Sequence, residues 1–438
     1  MTRRALDVWI NQTRVGALSE DAGIWRFRYQ SSWLDTPDAY PLCPALPLQV
    51  AQIEDSGSQR PVQWYFDNLL PEEGQRRLLA ADANVDAADA FSLLVWYGAE
   101  SAGSLTLLPS GSAAPTTQGL ATLPDAALSA RIQKMRAVPL THDAVKRMSL
   151  AGAQHKLAVV MRDAALFEPK GTQPSTHILK PDHPDPDYPH SVVNEWFVMT
   201  LAQRMGLDAP RVARRYVPEP VYLIERFDRY VDAHGTHRRH AIDACQLLGL
   251  DRSFKYAQGS VQTLAQLAAA CRNKAQTRVR LYNWLVFNVL TGNGDAHLKN
   301  LSFLVGADGV HLAPHYDLLC TACYEALLFG QHGWPRQTTL AWPILDTRRF
   351  AEVNRTLLLQ AADAIGIRPA QADRLLAWQR DRILTQADQL LRDVEVENRA
   401  LLVQAPALAA TFAGEMRCLR GICHVVIQEM VRALRSGA

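Results

Sequence analysis

The stretch NVLTGNGDAHLKNLSFL, residues 288–304, decides the fold. The apolar run LYNWLVFNVL, 281–290, leads straight into Gly292-Asn293-Gly294, and Asp295, His297, Lys299 and Asn300 then crowd into six residues. Apolar chain resumes at Leu301, Phe303 and Leu304. Leu281, Trp284, Leu285, Asn288 and Val289 recur at the spacing of one helix face. Gly292 and Gly294 can end that helix, because glycine tolerates left-handed backbone. NLSFLV then reads as a strand. The polar cluster is therefore a loop between a buried helix and a strand.

An Asp and an Asn five positions apart on such a loop suit phosphoryl transfer. The Asp accepts or orients the proton of a substrate hydroxyl, and the Asn holds a Mg²⁺. Asp295 and Asn300 have that spacing. A second acid must follow near a strand end, and HLAPHYDLL supplies Asp317. Hard oxygen ligands suit Mg²⁺, which keeps much of its water shell and needs few protein groups. Taken alone, GNGD also fits an ordinary turn, since Asp, Asn and Gly all form turns. The later Asp317 weighs against that plainer reading.

Global properties frame the chemistry. At 438 residues the chain can hold two or three domains and a large core. Its 48% hydrophobic and 21% charged content is that of an ordinary globular protein. A net charge of +2 provides no overall basic field for nucleic acid. No apolar run reaches the roughly 18 residues of a membrane span. The N-terminus MTRRALDVWINQTR lacks the apolar core of a signal peptide. Seven scattered cysteines, with one CxxC pair at Cys320 and Cys323 and no second pair, read as free thiols of a cytoplasmic protein.

Residues 1–110 carry short alternating runs and turn signals, which predict strands and hairpins. Within them DNLLPEEGQRRLLAA reads as helical, and DAFSLLVWYGAESAGSLTLLP as helix, turn and strand. Trp9, Trp25, Trp33, Trp64 and Trp96 are expected to fill that region's core. Residues 110–124, small, polar and Pro-containing, read as a linker. Residues 125–240 form a strand-rich region with one helix. Residues 241–438 are mostly helical by periodicity. The class is α+β.

A kinase needs further parts upstream. RMSLAGAQHKLAVVMRD places Ser149, Ala151, Gly152 and Ala153 in a small-residue turn before a strand. Backbone N–H groups of such a turn can cradle phosphate. STHILKPD is a strand ending in Lys180, and Glu195 follows on the helix SVVNEWFVMTLAQRMGL. A Lys180–Glu195 pair would aim the ammonium at phosphates. PVYLIERFDRY, a strand followed by Glu225, Arg226, Phe227 and Asp228, fits a hinge with backbone groups for adenine.

In this order the motifs resemble the HipA family of bacterial serine/threonine kinases, the toxin half of a toxin–antitoxin pair. The resemblance covers nearly the whole chain. FDNLLPEE and FSLLVWYGAESAGSL resemble the family's N-terminal subdomain, SLAGAQHK its phosphate loop and HILKP its lysine strand. ERFDR, GNGDAHLKN and APHYDLL resemble its hinge, catalytic loop and metal motif, and the last two are the most specific. The resemblance implies a two-lobed protein-kinase-like fold with an added N-terminal subdomain, using ATP and Mg²⁺. It implies Asp295 as catalytic residue, with Asn300 and Asp317 as metal ligands. Lys156 and Lys180 would contact phosphates, and Glu225 and Phe227 would lie at the adenine. Gln154, Asp228 and His297 join Ala151, Gly152 and Ala153 in the implied nucleotide-binding set. Ser149 matches the family's self-phosphorylated loop serine. Implied partners are a small helix-turn-helix, HipB-like antitoxin, DNA mainly through it, and a protein substrate, for which an aminoacyl-tRNA synthetase is the best-known type. No membrane partner is implied.

There are departures. His155 stands where the family frequently has an acid, and Ile242 where it often has Glu before Asp243. Other features read more plainly. His234, His237 and His240 in HGTHRRH fit a hairpin better than a metal site. His297 is expected to brace its loop by hydrogen bonding. The basic stretch CRNKAQTRVR reads as a solvated helix face. A small-molecule or lipid kinase with a similar loop, and a pseudokinase acting only as an antitoxin-binding co-repressor, remain open at this level.

Overall fold

Period-two burial builds the first sheet. Leu6, Val8 and Ile10 alternate inward, and so do Trp25, Phe27 and Tyr29. A computed structural model describes residues 4–436 apart from Pro115, Arg147, Ser149 and His234; for Thr117, Gln118 and Ser436 it describes the backbone alone. The chain forms two compact units. The first joins Met1–Pro181, Leu223–Phe254 and Ser302–Ala313; the second joins Asp182–Tyr222, Lys255–Leu301 and Pro314–Ala438.

In the first unit, five antiparallel strands run in the spatial order Ile53–Glu54, Ile24–Tyr29, Thr13–Asp21, Arg4–Ile10, Leu105–Pro109. Helix Ala90–Tyr97 packs Phe91 edge-on against Trp25, with ring centroids 5.1 Å apart. Trp25 and Trp33 are core residues as expected, whereas Trp96 is 39% exposed. The expected helix over DNLLPEEGQRRLLAA is helix Glu73–Ala83, which begins two residues after Pro71, and a separate helix Pro61–Asp67 precedes it. Pro71 instead forms a β-bridge with Gly152.

The second sheet of this unit pairs Thr117–Thr122, Ala165–Gly171, Leu157–Arg162 and His177–Pro181 in that order, with residues 223–225 next to the last. The expected linker at 110–124 thus contains an edge strand. A three-stranded sheet of Ala241–Asp243, Ser302–Gly306 and Gly309–Leu312 completes the unit. Ile242 pairs with Phe303 there and is buried, so an apolar residue suits its position. HGTHRRH lies largely in the expected hairpin, Arg229–Asp232 paired with Gly235–Arg238. His237 stacks on Tyr230 at 5.0 Å, while His240 is buried and bonded to Ser104. Burial pushes His240 down to about 4. His234 lies outside the described residues.

A buried ionic cluster joins distant parts of the first unit. The Glu100 carboxylate, fully buried, accepts from Lys146 at 2.6 Å, Arg238 at 2.6 Å and Arg229 at 2.9 Å. Arg226 lies 3.5 Å from it and holds Asp228 at 2.7 Å. Burial alone would raise the Glu100 carboxyl, but Arg238, Lys146, Arg229 and Arg226 hold it well below the usual range.

The second unit is mainly helical. Helix Pro369–Gln404 buries Ala372, Leu376, Gln379, Ile383, Ala387, Leu390 and Val394 along one face. Helices Ser191–Arg204, Val261–Ala270, Lys274–Leu290, Arg355–Ile365 and Ala409–Gly421 belong to the same unit. A small hairpin, Thr339–Ile344 with Thr347–Arg349, was not visible in the helical periodicity. The basic stretch CRNKAQTRVR supplies the start of helix Lys274–Leu290, and its Arg280 pairs with Asp208 at 2.8 Å.

Candidate active site

The catalytic-loop candidate is built within the second unit. Helix Lys274–Leu290 is buried without a break from Trp284 to Leu290, and Thr291 is its C-cap. Gly292 then turns left-handed at φ +65°, and Asn293 N–H returns to Asn288 O at 2.9 Å. A polar Asn288 in a buried helix is explained by its bonds. Its amide donates to Trp284 O at 2.8 Å and its oxygen accepts from Asn293 at 2.7 Å.

Every turn of the loop is pinned. Asn293 Oδ1 accepts Asp295 N–H at 3.0 Å, and Thr321 Oγ1 accepts Gly294 N–H at 2.7 Å. Asp295 O accepts His297 N–H at 2.8 Å and Asn300 Nδ2 at 2.9 Å. Trp342 Nε1 donates to Ala296 O at 2.9 Å. The Asp295 carboxylate accepts a 2.5 Å hydrogen bond from the Tyr256 hydroxyl. His297 meets the Tyr256 ring edge-on at 5.0 Å, with its own backbone N–H on the Asp295 carbonyl.

The metal candidates stand in the same unit. Among the described residues, no group of three or more His, Cys, Asp or Glu is placed to hold a metal. A magnesium site needs fewer protein ligands than that. Asn300 commits its amide nitrogen to Asp295 O, which leaves the amide oxygen as the end suited to a cation. Asp317 takes a left-handed backbone at φ +57°. The preceding Tyr316 hydroxyl donates to Lys299 O at 2.7 Å, so the Asp317 segment is tied to the catalytic loop. Asn194 grips Cys320 at both backbone groups, each at 2.8 Å, and fixes the chain just after Asp317. Burial first, then the charges of Glu195 and Asp317, push the Tyr222 phenol well above its ordinary value. An amide oxygen and a carboxylate are hard oxygen donors of the kind a divalent magnesium ion takes.

The first unit carries the other candidates. Lys156 precedes strand Leu157–Arg162, and its Nζ donates to Ala151 O at 2.7 Å, closing the small-residue loop on itself. Gly152 needs its glycine freedom, at φ +111°, and its O accepts Glu72 N–H at 3.2 Å. Ala153 is exposed, Gln154 half-buried and His155 buried. Ser149 lies outside the described residues. Lys180 is buried near the end of strand His177–Pro181, while Glu195 lies on helix Ser191–Arg204 of the second unit. Glu225 is exposed at the end of strand Pro220–Glu225, and Phe227 is half-buried after it. Asp228 differs from the nucleotide role expected of it. Its carboxylate is taken up by Arg226 and by Gly103 N–H at 2.9 Å, so the side chain is structural.

Sequence reading missed Tyr256 and Thr321. Neither carries a motif, and each acts through a contact across many residues, Tyr256 over 39 and Thr321 over 27.

An Asp–Asn loop pinned to a buried helix, with an acid-bearing segment tied to it, is the arrangement expected of a kinase-like phosphotransferase. Two family models match: the HipA-like C-terminal domain over residues 148–387 and the HipA N-terminal domain over 6–108. The serine/threonine-protein kinase toxin HipA of Shewanella oneidensis is 31% identical, over 73% of this chain and 76% of its own. The Sinorhizobium fredii protein Y4mE is 38% identical, over 75% of this chain and 80% of its own. The solved complex of Shewanella oneidensis HipA, HipB and operator DNA superposes with a TM-score of 0.76 at 26% identity, covering 99% of this chain and all of that one. The chain belongs to the HipA family of toxin–antitoxin kinases and is a serine/threonine protein kinase with that family's α+β, kinase-like fold.

Proposed function

We propose that the chain transfers the γ-phosphoryl group of ATP to a protein serine, with Asp295 as the carboxylate that receives the acceptor hydroxyl. One observation supports the reading: Asn300 commits its amide nitrogen to the Asp295 carbonyl, which leaves its amide oxygen for a cation on the same pinned loop. Asn300 and Asp317 would hold Mg²⁺, which neutralises charge on the β- and γ-phosphates. Lys156 and Lys180 would contact phosphates. Ala151, Gly152, Ala153 and Gln154 would border them, and Glu225 and Phe227 the adenine. Glu195 would partner Lys180, and His297 would brace the loop.

Self-phosphorylation at Ser149 belongs to the same reading, supported by its place at the head of SLAGAQHK. A HipB-like helix-turn-helix antitoxin is proposed as partner, supported by the assembly in which the Shewanella relative was solved. DNA would be met mainly through it. An aminoacyl-tRNA synthetase is the proposed type of substrate, supported by the family resemblance of the motifs. All seven cysteines are buried and none is in a disulfide, which supports a reducing, cytoplasmic compartment. No helix among the described residues is long and apolar enough to cross a membrane.

The test is the metal. Asp317→Ala should abolish the Mg²⁺ dependence of transfer together with most activity. Activity is titrated with Mg²⁺ in both proteins, and a superimposable curve would move the metal elsewhere.

A further inference from the structure

Tyr256 lies outside every motif the kinase reading uses, yet its hydroxyl donates to Asp295 Oδ1 at 2.5 Å. The ring is 38% exposed but it is not a loose surface group. His297 meets its edge at 5.0 Å and 80°, and Lys255 Nζ lies 5.1 Å from its centroid. Lys255 O accepts Leu298 N–H at 3.1 Å, so the Tyr256 segment is fastened to the catalytic loop by its backbone. Tyr256 O accepts Gly259 N–H at 2.9 Å, which closes the turn on its far side.

Resting on the assignment of Asp295 as the transfer carboxylate, we propose that Tyr256 is a positioning residue for it. The phenol anchors Oδ1, so that Oδ2 is the oxygen presented to the acceptor hydroxyl. A carboxylate has about four lone-pair sites on two oxygens, so both partners can be served at once. The terminal torsion of an Asp is broad when unrestrained, and a short charge-assisted O–H···O⁻ bond narrows it. During transfer the acceptor oxygen bonds to the γ-phosphorus as the bond from that phosphorus to the bridging oxygen breaks. ADP leaves with the electron pair, and the acceptor proton passes to Oδ2. Tyr256 keeps its own proton throughout, because the proton released by the acceptor goes to Oδ2. The clamp on three sides favours an anchor over a swinging gate, because a gate would need the ring to leave His297 and Lys255.

The test uses the full chain as Tyr256→Phe, Asp295→Asn and the double variant, with Mg·ATP as the probe. Single-turnover ADP release gives the chemical step, and equilibrium binding of Mg·ATP gives the affinity. Tyr256→Phe keeps the ring and its packing. It should slow ADP release about tenfold or more, with Mg·ATP affinity within about twofold of wild type. In the Asp295→Asn background the loss of the hydroxyl should change nothing further, because the phenol acts only through that carboxylate. An unchanged or faster Tyr256→Phe would overturn the proposal, the faster case revealing a phenol that blocks the acceptor. Equal losses in affinity and rate, or an equal factor in the Asp295→Asn background, would overturn it in favour of a structural role. If Asp295→Asn releases ADP at the wild-type rate, the assignment of Asp295 itself falls and Tyr256 with it. If Asp295→Asn is slow and Tyr256→Phe is not, only the role of Tyr256 falls.

Discussion

Replacing Glu100 by Gln should destabilise the first unit more than any single loss of a cation around it. Four cations converge on this buried region, Lys146, Arg226, Arg229 and Arg238, all with side chains under 5% exposed. Two acids oppose them, Glu100 and Asp228. Gln keeps the volume and some hydrogen bonds, but it leaves one acid against four cations. Removing one partner from a buried charge network costs about 3–5 kcal/mol. At about 2–4 °C per kcal/mol for a unit of this size, the melting temperature should fall by roughly 6–20 °C. Lys146→Met makes the informative contrast. Burial lowers the Lys146 ammonium to about 8 despite Glu100, which marks it as one cation too many. Its removal should cost no more than about 1 kcal/mol. Thermal unfolding of both variants at pH 7, followed by circular dichroism, measures the difference. A Lys146→Met protein as unstable as Glu100→Gln, or a silent Glu100→Gln, would refute the reasoning.

Two further outcomes follow from the second unit. Burial raises the Glu415 carboxyl to about 7, with Asp182 and Glu397 adding to it and Tyr216 and Arg214 opposing. A folded pKa above the unfolded one means that its stabilisation is complete below about 4.5 and is lost as pH rises through about 7. Glu415→Gln should flatten that part of the pH–stability curve, gaining about 1–3 kcal/mol over wild type at pH 8 and little at pH 4, as read by urea denaturation; parallel curves would contradict it. Gly292→Ala forces a left-handed φ of +65° on an L-residue, and its Cβ would lie 2.5 Å from Val426 Cγ1 and 2.7 Å from Ala322 Cβ. A loss of about 2–4 kcal/mol with transfer activity strongly reduced is expected, and wild-type stability would show that the loop has slack.

The parts legible in the sequence were those set by local pattern. The helix face from Leu281 to Val289, its glycine ending and the strand Ser302–Gly306 all follow from residues a few positions apart. Lys180 at its strand end and Glu195 on its helix were equally local. What escaped depends on distant partners. Strand Thr117–Thr122 has weak alternation of its own and exists because Ala165–Gly171 offers it an edge. Glu100 looked like a turn residue, since Lys146 and Arg238 are 46 and 138 positions away. Asp228 was placed at the nucleotide because its motif suggested so, but Arg226 two positions before it already takes its carboxylate. Trp96 was assigned to the core by residue type, whereas only one face of helix Ala90–Tyr97 is covered there.

The central claim is that Asp295 performs the transfer, and Asp295→Asn tests it most directly. The amide keeps the shape and can still accept from Tyr256, so the loop should hold. It is a far weaker proton acceptor, and losing a positioned base costs about 10²–10⁴ in rate. Transfer of ³²P from γ-labelled ATP and Mg·ATP affinity are measured on the same preparation. The account predicts transfer reduced by at least about a hundredfold with affinity nearly unchanged; transfer close to wild type would contradict it.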